Sequence, residues 1–407
     1  MYGEAFRDFL RGRIASGQRE LASATRMRIE RDMPPLREVL DAGGQDAYLE
    51  PLLFTYLAEA DATVGLPQIV LGYVPAPARP EAIEIDTDAF GRAYLPRIGY
   101  FLTEERNASL VLSWSGAANA FHLSREARSV AFRLEPPLIV PGTTLEVARY
   151  ADPLLTTRFF DHSKAWVGAS VAFDGLAERH LDALAQACAL LSEHAGEFFA
   201  DLVSTTRRLV LFEHPDVNSF ASLAAHGDAF FNVRPESGAP YFIDELAHQC
   251  GHVMFYAATL QRADFLRGDL AARLGDAHKD ALDPPEKRSV YGAFHGIFTE
   301  YTMIHCLSAV ERARVLSSSA AHELFGRLSF IARKARIDLG IFADGTLLTD
   351  LGRAMHQHFM DEFRELERAR HDLFDTDMGG QPYTFDYRRF ARANPMSSGH
   401  ALEHGLY

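Results

Sequence analysis

The residues best placed to do chemistry lie in DELAHQCGHVMF, residues 244–255. His248 and His252 are four apart, and on a helix such residues project from one face. Two imidazoles on one face can serve one metal ion, and a helical HxxxH is a common half of such a site. With Glu at 249 the stretch would read HExxH, where the carboxylate takes a proton from metal-bound water. The residue is Gln249. An amide has no useful basicity, so peptide hydrolysis by that route is disfavoured. Two histidines, a third ligand and open positions also suit non-haem Fe(II) oxygen chemistry, which needs no carboxylate at 249.

The third ligand is sought in KRSVYGAFHGIFTEY, residues 287–301. His295 stands there between Gly292 and Gly296. Two glycines inside a helix cost roughly 1 kcal/mol each relative to Ala, which points to close packing. At roughly 100° per residue, Arg288, Tyr291 and His295 share one stripe. An arginine in such a groove suits a carboxylate. Glu300 is the rival ligand; five residues beyond His295 it points elsewhere, so only one of the two is expected to face His248 and His252. Tyr291 is a candidate for a hydrogen bond in the site, although an aromatic at this spacing ordinarily packs.

Other residues carry weaker signals. His226 and Asp228 precede a short strand and are candidates to line the cleft. Asn232 and Arg234 end that strand, which would suit an extended peptide added alongside it. His356 and His358 are two apart on a helix and point in different directions. His305, Cys306 and Cys250 read as packed residues. No phosphate-binding glycine loop and no GxSxG elbow occurs.

The region resembles the HExxH-type 2-oxoglutarate-dependent peptide β-hydroxylases found with ribosomal peptide natural-product clusters. The likeness runs from about Ser219 to about Val310, with a weaker match at Asp350–Arg353. It rests on SFASLAAHGDAFFNV, DELAHQCGHVMFYAATL, LDPPEKRSVYGAFHGIF and LTDLGRAM. In the family a strand precedes the metal helix. A Pro-containing segment with a basic residue follows, and then a Gly-flanked His. The resemblance implies a zincin-like metal helix that holds iron through His248, His252 and His295. It implies Arg288 as the anchor for 2-oxoglutarate and C–H hydroxylation, usually at a β-carbon, of a peptide such as a ribosomal precursor. The departure is Gln249, where the family has Glu. A zinc-dependent peptide or amide hydrolase with a displaced base, Glu245 or Glu300, is the alternative. A non-catalytic peptide-binding protein is a third.

The elements that must position these residues follow from patterning. Residues 1–66 mix good helix formers with apolar residues at three- and four-residue spacing. Residues 67–173 hold short β-rich runs, IVLGYV, AIEID, ASLVLSW, SVAFRL and TLEVARY, broken by Pro and Gly. Residues 174–374 read as mainly helical, with strands at RRLVLFEH and DAFFNV, a long helix beginning near Pro284–Pro285, and Thr349 capping another. Residues 375–407 read as a tail. The expected class is α+β, with an N-terminal helical and β portion and a mainly helical C-terminal half. The 407 residues are 47% hydrophobic and 24% charged, enough for a substantial core. A net charge of −14 and the lack of a basic–aromatic stripe argue against a nucleic-acid partner. Three cysteines form no disulfide framework. The apolar runs fall short of the roughly 20 residues a membrane span needs. With no signal-like start, the expected location is the cytoplasm.

Overall fold

The computed structural model describes residues 3–41, 43–59, 64–115, 120–160, 171–274, 288–381 and 384–396. Helices take 56% and strands 16%, so the class is mixed α+β with a helical C-terminal half. The chain forms two compact units. One comprises Met1–Gly17, Asp182–Ser204 and Pro235–Tyr407; the other comprises Gln18–Leu181 and Thr205–Arg234. These units cut across the linear division into 1–66, 67–173, 174–374 and 375–407. Patterning along a chain finds runs, and does not tell which distant runs pack together.

The strands lie in the second unit. Ala82–Asp86, Ser109–Ser115, Ala120–Arg125 and Arg128–Val130 form an antiparallel sheet. Arg92–Leu95, Gly99–Thr103 and Phe132–Glu135 form a second. Alternation explains their packing. In SLVLSWS, Leu110 and Leu112 are buried while Val111 faces out. The inward set joins Ile85, Leu95, Phe101, Leu123 and Val130 in one core. A third sheet is mixed. Arg208–Phe212 lies parallel to Asp228–Asn232 on one side and to Glu146–Val147 on the other. Covered on both faces, RLVLF is buried throughout and reads as an unbroken apolar run.

One expected strand is helical. IVLGYV falls in the helix Leu66–Val70 and the 3-10 turn Leu71–Tyr73. Pro67 in the first turn pre-sets the helical φ, and a short apolar run does not by itself distinguish strand from helix.

In the first unit Val290–Ala313, Ser318–Ile341 and Asp350–Ala369 are the long helices. Thr349 caps the last as expected, its hydroxyl accepting from Gly352 N at 3.1 Å. Residues 275–287, with Pro284 and Pro285, lie outside the described residues. The helix that carries His295 begins at Val290. Ser289 caps it by accepting from Gly292 N at 3.0 Å. Arg288 therefore precedes the helix and is not on its stripe. Within the tail, Tyr387–Ala393 is a helix whose Phe390 is fully buried over Gly326. A Cβ at 326 would meet the Phe390 ring at 2.7 Å. Among the described residues no helix is long and apolar enough to cross a membrane.

A candidate metal centre built on three histidines

HQCGH lies on a helix that changes pitch. Ala239–Glu245 is α-helical, Leu246–Cys250 is a π-turn, and Gly251–Ala258 resumes the α-helix. π-Turns are uncommon and concentrate at functional sites. Here the helix Val290–Ala313 supports the irregularity. Thr302 donates its hydroxyl to Ala247 O at 2.7 Å. Gly251 makes room for that hydroxyl, since a Cβ there would lie 2.6 Å from Thr302 Oγ1.

His248 and His252 do share a face, with ring centroids 4.7 Å apart. His295 closes on them from the neighbouring helix. Its Nε2 is 2.5 Å from His252 Nδ1, and the ring centroids are 4.2 Å apart. Phe255 stacks on the His295 ring at 4.2 Å and fixes its plane. Of the two rival third ligands, His295 joins the pair. Glu300 is 1% exposed and bonded to Lys334 Nζ at 2.5 Å.

Burial makes all three imidazoles weak bases. His248 and His295 are pushed down to about 3, and His252 lies well below its ordinary value. Neighbouring histidines add to the shift at His252 and His295. Neutral imidazole is the form that ligates metals, so the donor set fits a divalent transition ion. Two nitrogens bound to one ion at ~2.0–2.1 Å stand about 3 Å apart. The His252–His295 contact is closer than that, ring nitrogen to ring nitrogen. Correspondingly, no group of three donors among the described residues is already set around a common point.

Gln249 is 1% exposed. Its Nε2 donates to Glu245 Oε2 at 3.1 Å and lies 3.2 Å from His248 Nδ1. The amide thus connects a carboxylate one turn earlier to a histidine. Its oxygen is buried without a partner among the described residues.

Arg288 is engaged. Its Nη1 and Nη2 each lie 2.7 Å from an Asp338 carboxylate oxygen. Gly296 leaves space for that guanidinium, since a Cβ would meet Nη1 at 2.7 Å. The close packing expected from the glycines is thus partly packing against Arg288. Lys334, Glu300, Asp338 and Arg288 form a cluster of two cations and two carboxylates. Burial raises Glu300 well above its ordinary value, although Lys334 opposes this.

Tyr291 lies 6.0 Å from His295 between ring centroids, and Tyr256 lies 5.0 Å away. Arg262 stacks over Tyr291 at 4.0 Å. Tyr256 and Arg262 did not emerge from the sequence reading. Tyr256 had a signal, because 248, 252 and 256 continue one i, i+4 stripe. Arg262 had none, since it follows the helix in the short turn Arg262–Asp264.

The remaining candidates have structural places. His226 is 1% exposed in the second unit, edge-on to Phe54. Asp228 is fully buried against Arg208. Asn232 binds the 214–217 loop, donating to His214 O at 2.7 Å and to Val217 O at 2.5 Å. Its strand is paired on both sides, with Phe220–Ala221 along Ala229 and Phe230. At that register it does not offer a free edge to a peptide. His356 is paired with Leu339 O, and His358 with the Tyr301 hydroxyl. Cys250 and Cys306 are fully buried. His305 lines a cavity of about 280 Å³ with Ile297, Ser308, Phe359 and Leu366.

His226 gives a pH prediction. Neither ring nitrogen has a partner among the described residues, and burial lowers its basicity to about 3. The unfolded chain takes up a proton near pH 6.5 that the fold refuses, so stability falls as pH drops below 6.5. At pH 5 this one residue should account for about 2 kcal/mol. Urea unfolding of His226→Leu at pH 7 and pH 5 checks it; an undiminished pH dependence would remove His226 as a source.

No protein-family model matches the chain, and no curated protein sequence matches it.

Proposed function

We propose that the protein is a non-haem Fe(II)- and 2-oxoglutarate-dependent oxygenase that hydroxylates a side chain of a peptide. The observation that carries this is the gathering of three neutral imidazoles around a helix whose protease-base position is an amide. The resemblance of residues 219–310 to peptide β-hydroxylases agrees with it. On this reading 239–258 is a zincin-like metal helix. A ferrous ion held by His248, His252 and His295 would supply O2 chemistry, coupled to oxidative loss of CO2 from 2-oxoglutarate. The overall balance is C–H plus O2 plus 2-oxoglutarate giving C–OH, succinate and CO2.

The chain's own residues do the positioning. Phe255 orients His295. Gln249, anchored on Glu245, orients His248, and such partners of a ligating histidine commonly set affinity by 10–100-fold. Gln249 thus has work that does not require basicity. A zinc hydrolase is the second reading, and Glu245 is the residue that favours it, being the carboxylate joined to the histidines through Gln249. Glu300, bonded to Lys334, is poorly placed for that role.

The test is to purify the protein without oxygen and measure bound metal, then add Fe(II) and 2-oxoglutarate. A visible charge-transfer band that is absent in His248→Ala is the expected result. Tight zinc with no band would favour the hydrolase. No metal at all would favour a non-catalytic peptide binder.

A further inference from the structure

We infer that Thr302 is a positioning residue whose hydroxyl keeps the π-turn wound and thereby holds one histidine, His248, in the cluster. The inference rests on reading that cluster as a metal centre.

A π-turn closes its hydrogen bonds over one residue more than the α-helix does, and it is rarely adopted. The turn Leu246–Cys250 contains His248 and Gln249. His252 lies beyond it on regular helix, and His295 lies on the neighbouring helix. Rewinding the turn as α-helix would therefore rotate His248 relative to His252. The pair His252–His295 would stay as it is. Phe255, which stacks on His295, is also on the regular part. Gln249 would travel with His248, since its amide nitrogen is 3.2 Å from His248 Nδ1.

Thr302 supplies the support from outside. Its Oγ1 lies 2.7 Å from Ala247 O, inside the turn, and 2.7 Å from Thr299 O on its own helix. One hydroxyl hydrogen thus serves a carbonyl on each helix. A side chain set against helix carbonyls is an identified cause of local distortion. Thr302 is fully buried, where a hydrogen bond is stronger than in water. The approach is close because residue 251 has no side chain. A Cβ there would lie 2.6 Å from Thr302 Oγ1 and 3.4 Å from its Cβ. Gly251 follows the turn directly, so the helices meet where the pitch changes.

The test is a double-variant cycle. Cobalt(II) affinity is measured by competition with a chelator in wild type, Thr302→Val, His248→Ala and the double variant. Histidine ring nitrogen signals are recorded by NMR in the same proteins without metal. Thr302→Val keeps the shape and removes the donor; Thr302→Ser keeps the donor.

Thr302→Val should weaken cobalt by about 10–100-fold, the range for losing a group that orients a ligand. The double variant should bind as His248→Ala does, because Thr302 acts through His248 alone. Without metal, the His248 signals should move in Thr302→Val while those of His252 and His295 hold. Thr302→Ser should restore both readouts. Gly251→Ala, whose methyl displaces the same hydroxyl, should reproduce the loss and replaces the valine variant if that one does not fold. A double variant weaker than His248→Ala by the whole Thr302→Val factor would mean general loosening and overturn the assignment. Unchanged affinity and unchanged His248 signals in Thr302→Val would overturn it too. A wild type that binds no cobalt, with His248 signals displaced in Thr302→Val, keeps the positioning role and overturns the metal reading. No cobalt and no displacement overturns both.

Discussion

Replacing His252 with alanine is expected to lower divalent-metal affinity by more than the 10–100-fold that follows loss of a partner to a ligand. His252 is the middle of the three rings. Its centroid is 4.7 Å from His248 and 4.2 Å from His295. Without it, the remaining two imidazoles belong to different helices and no longer have the ring that joins them. His248→Ala and His295→Ala each leave a contacting pair, so they should lose less. Competition against a chelator measures all three on one scale. Equal affinity in His252→Ala and wild type would exclude the triad as the binding site. The protein should stay folded, because the helix that carries His252 is also anchored through Thr302 and Gly251.

Arg208→Met should destabilise the chain by about 3–5 kcal/mol, the range for breaking a buried pair from one side. Arg208 and Asp228 are 4% and 0% exposed and share two hydrogen bonds of 3.0 and 2.8 Å. The surrounding charge sharpens the effect. Glu146 and Asp152 are half-buried, and desolvation raises both despite the attraction of the same guanidinium. Asp228 itself is raised to about 7 by burial, against the pull of Arg208. A carboxyl raised in the fold supports stability at low pH and withdraws it as pH climbs to the folded value. The variant should therefore lose more at pH 8 than at pH 5. Asp228→Leu added to Arg208→Met should recover part of the loss, because the Asp228 carboxyl is then no longer buried without its partner, while Glu146 and Asp152 still lack the guanidinium. Urea unfolding of the two variants and wild type at both pH values checks this. Equal losses in the single and double variants would show that shape, and not charge, holds this site.

The gathering of the three histidines was more legible in the sequence than the contacts that support it. His248, His252 and His295 could be singled out because a four-residue spacing and flanking glycines have direct spatial meanings. The π-turn was invisible, since nothing in LAHQC alone asks for a fifth residue per bond. It depends on Thr302, more than fifty positions away. The partners of Arg288 and Glu300 were invisible for the same reason. Asp338 and Lys334 are four apart on their helix, but only packing decides that this face meets the His295 helix. IVLGYV was misread because its residues suit either element and Pro67 acted from within the first turn. Thr349 was legible because a cap is made within four residues.

The discontinuous layout also constrains biosynthesis. The second unit is complete once residue 234 has emerged from the ribosome. Leu10 and Ile14, and the 182–204 segment with Leu184, Leu191 and Phe198, belong to the other unit and are buried in the finished protein. Phe198 packs on Tyr301 and His305, which lie among the last 173 residues, so at ~5–20 residues per second this apolar surface waits roughly 10–35 s for cover. During that interval the nascent chain carries a finished sheet unit alongside sticky, unpaired helical segments. That is the kind of client chaperones hold, and a ribosome stalled late in this message would release a product prone to aggregate.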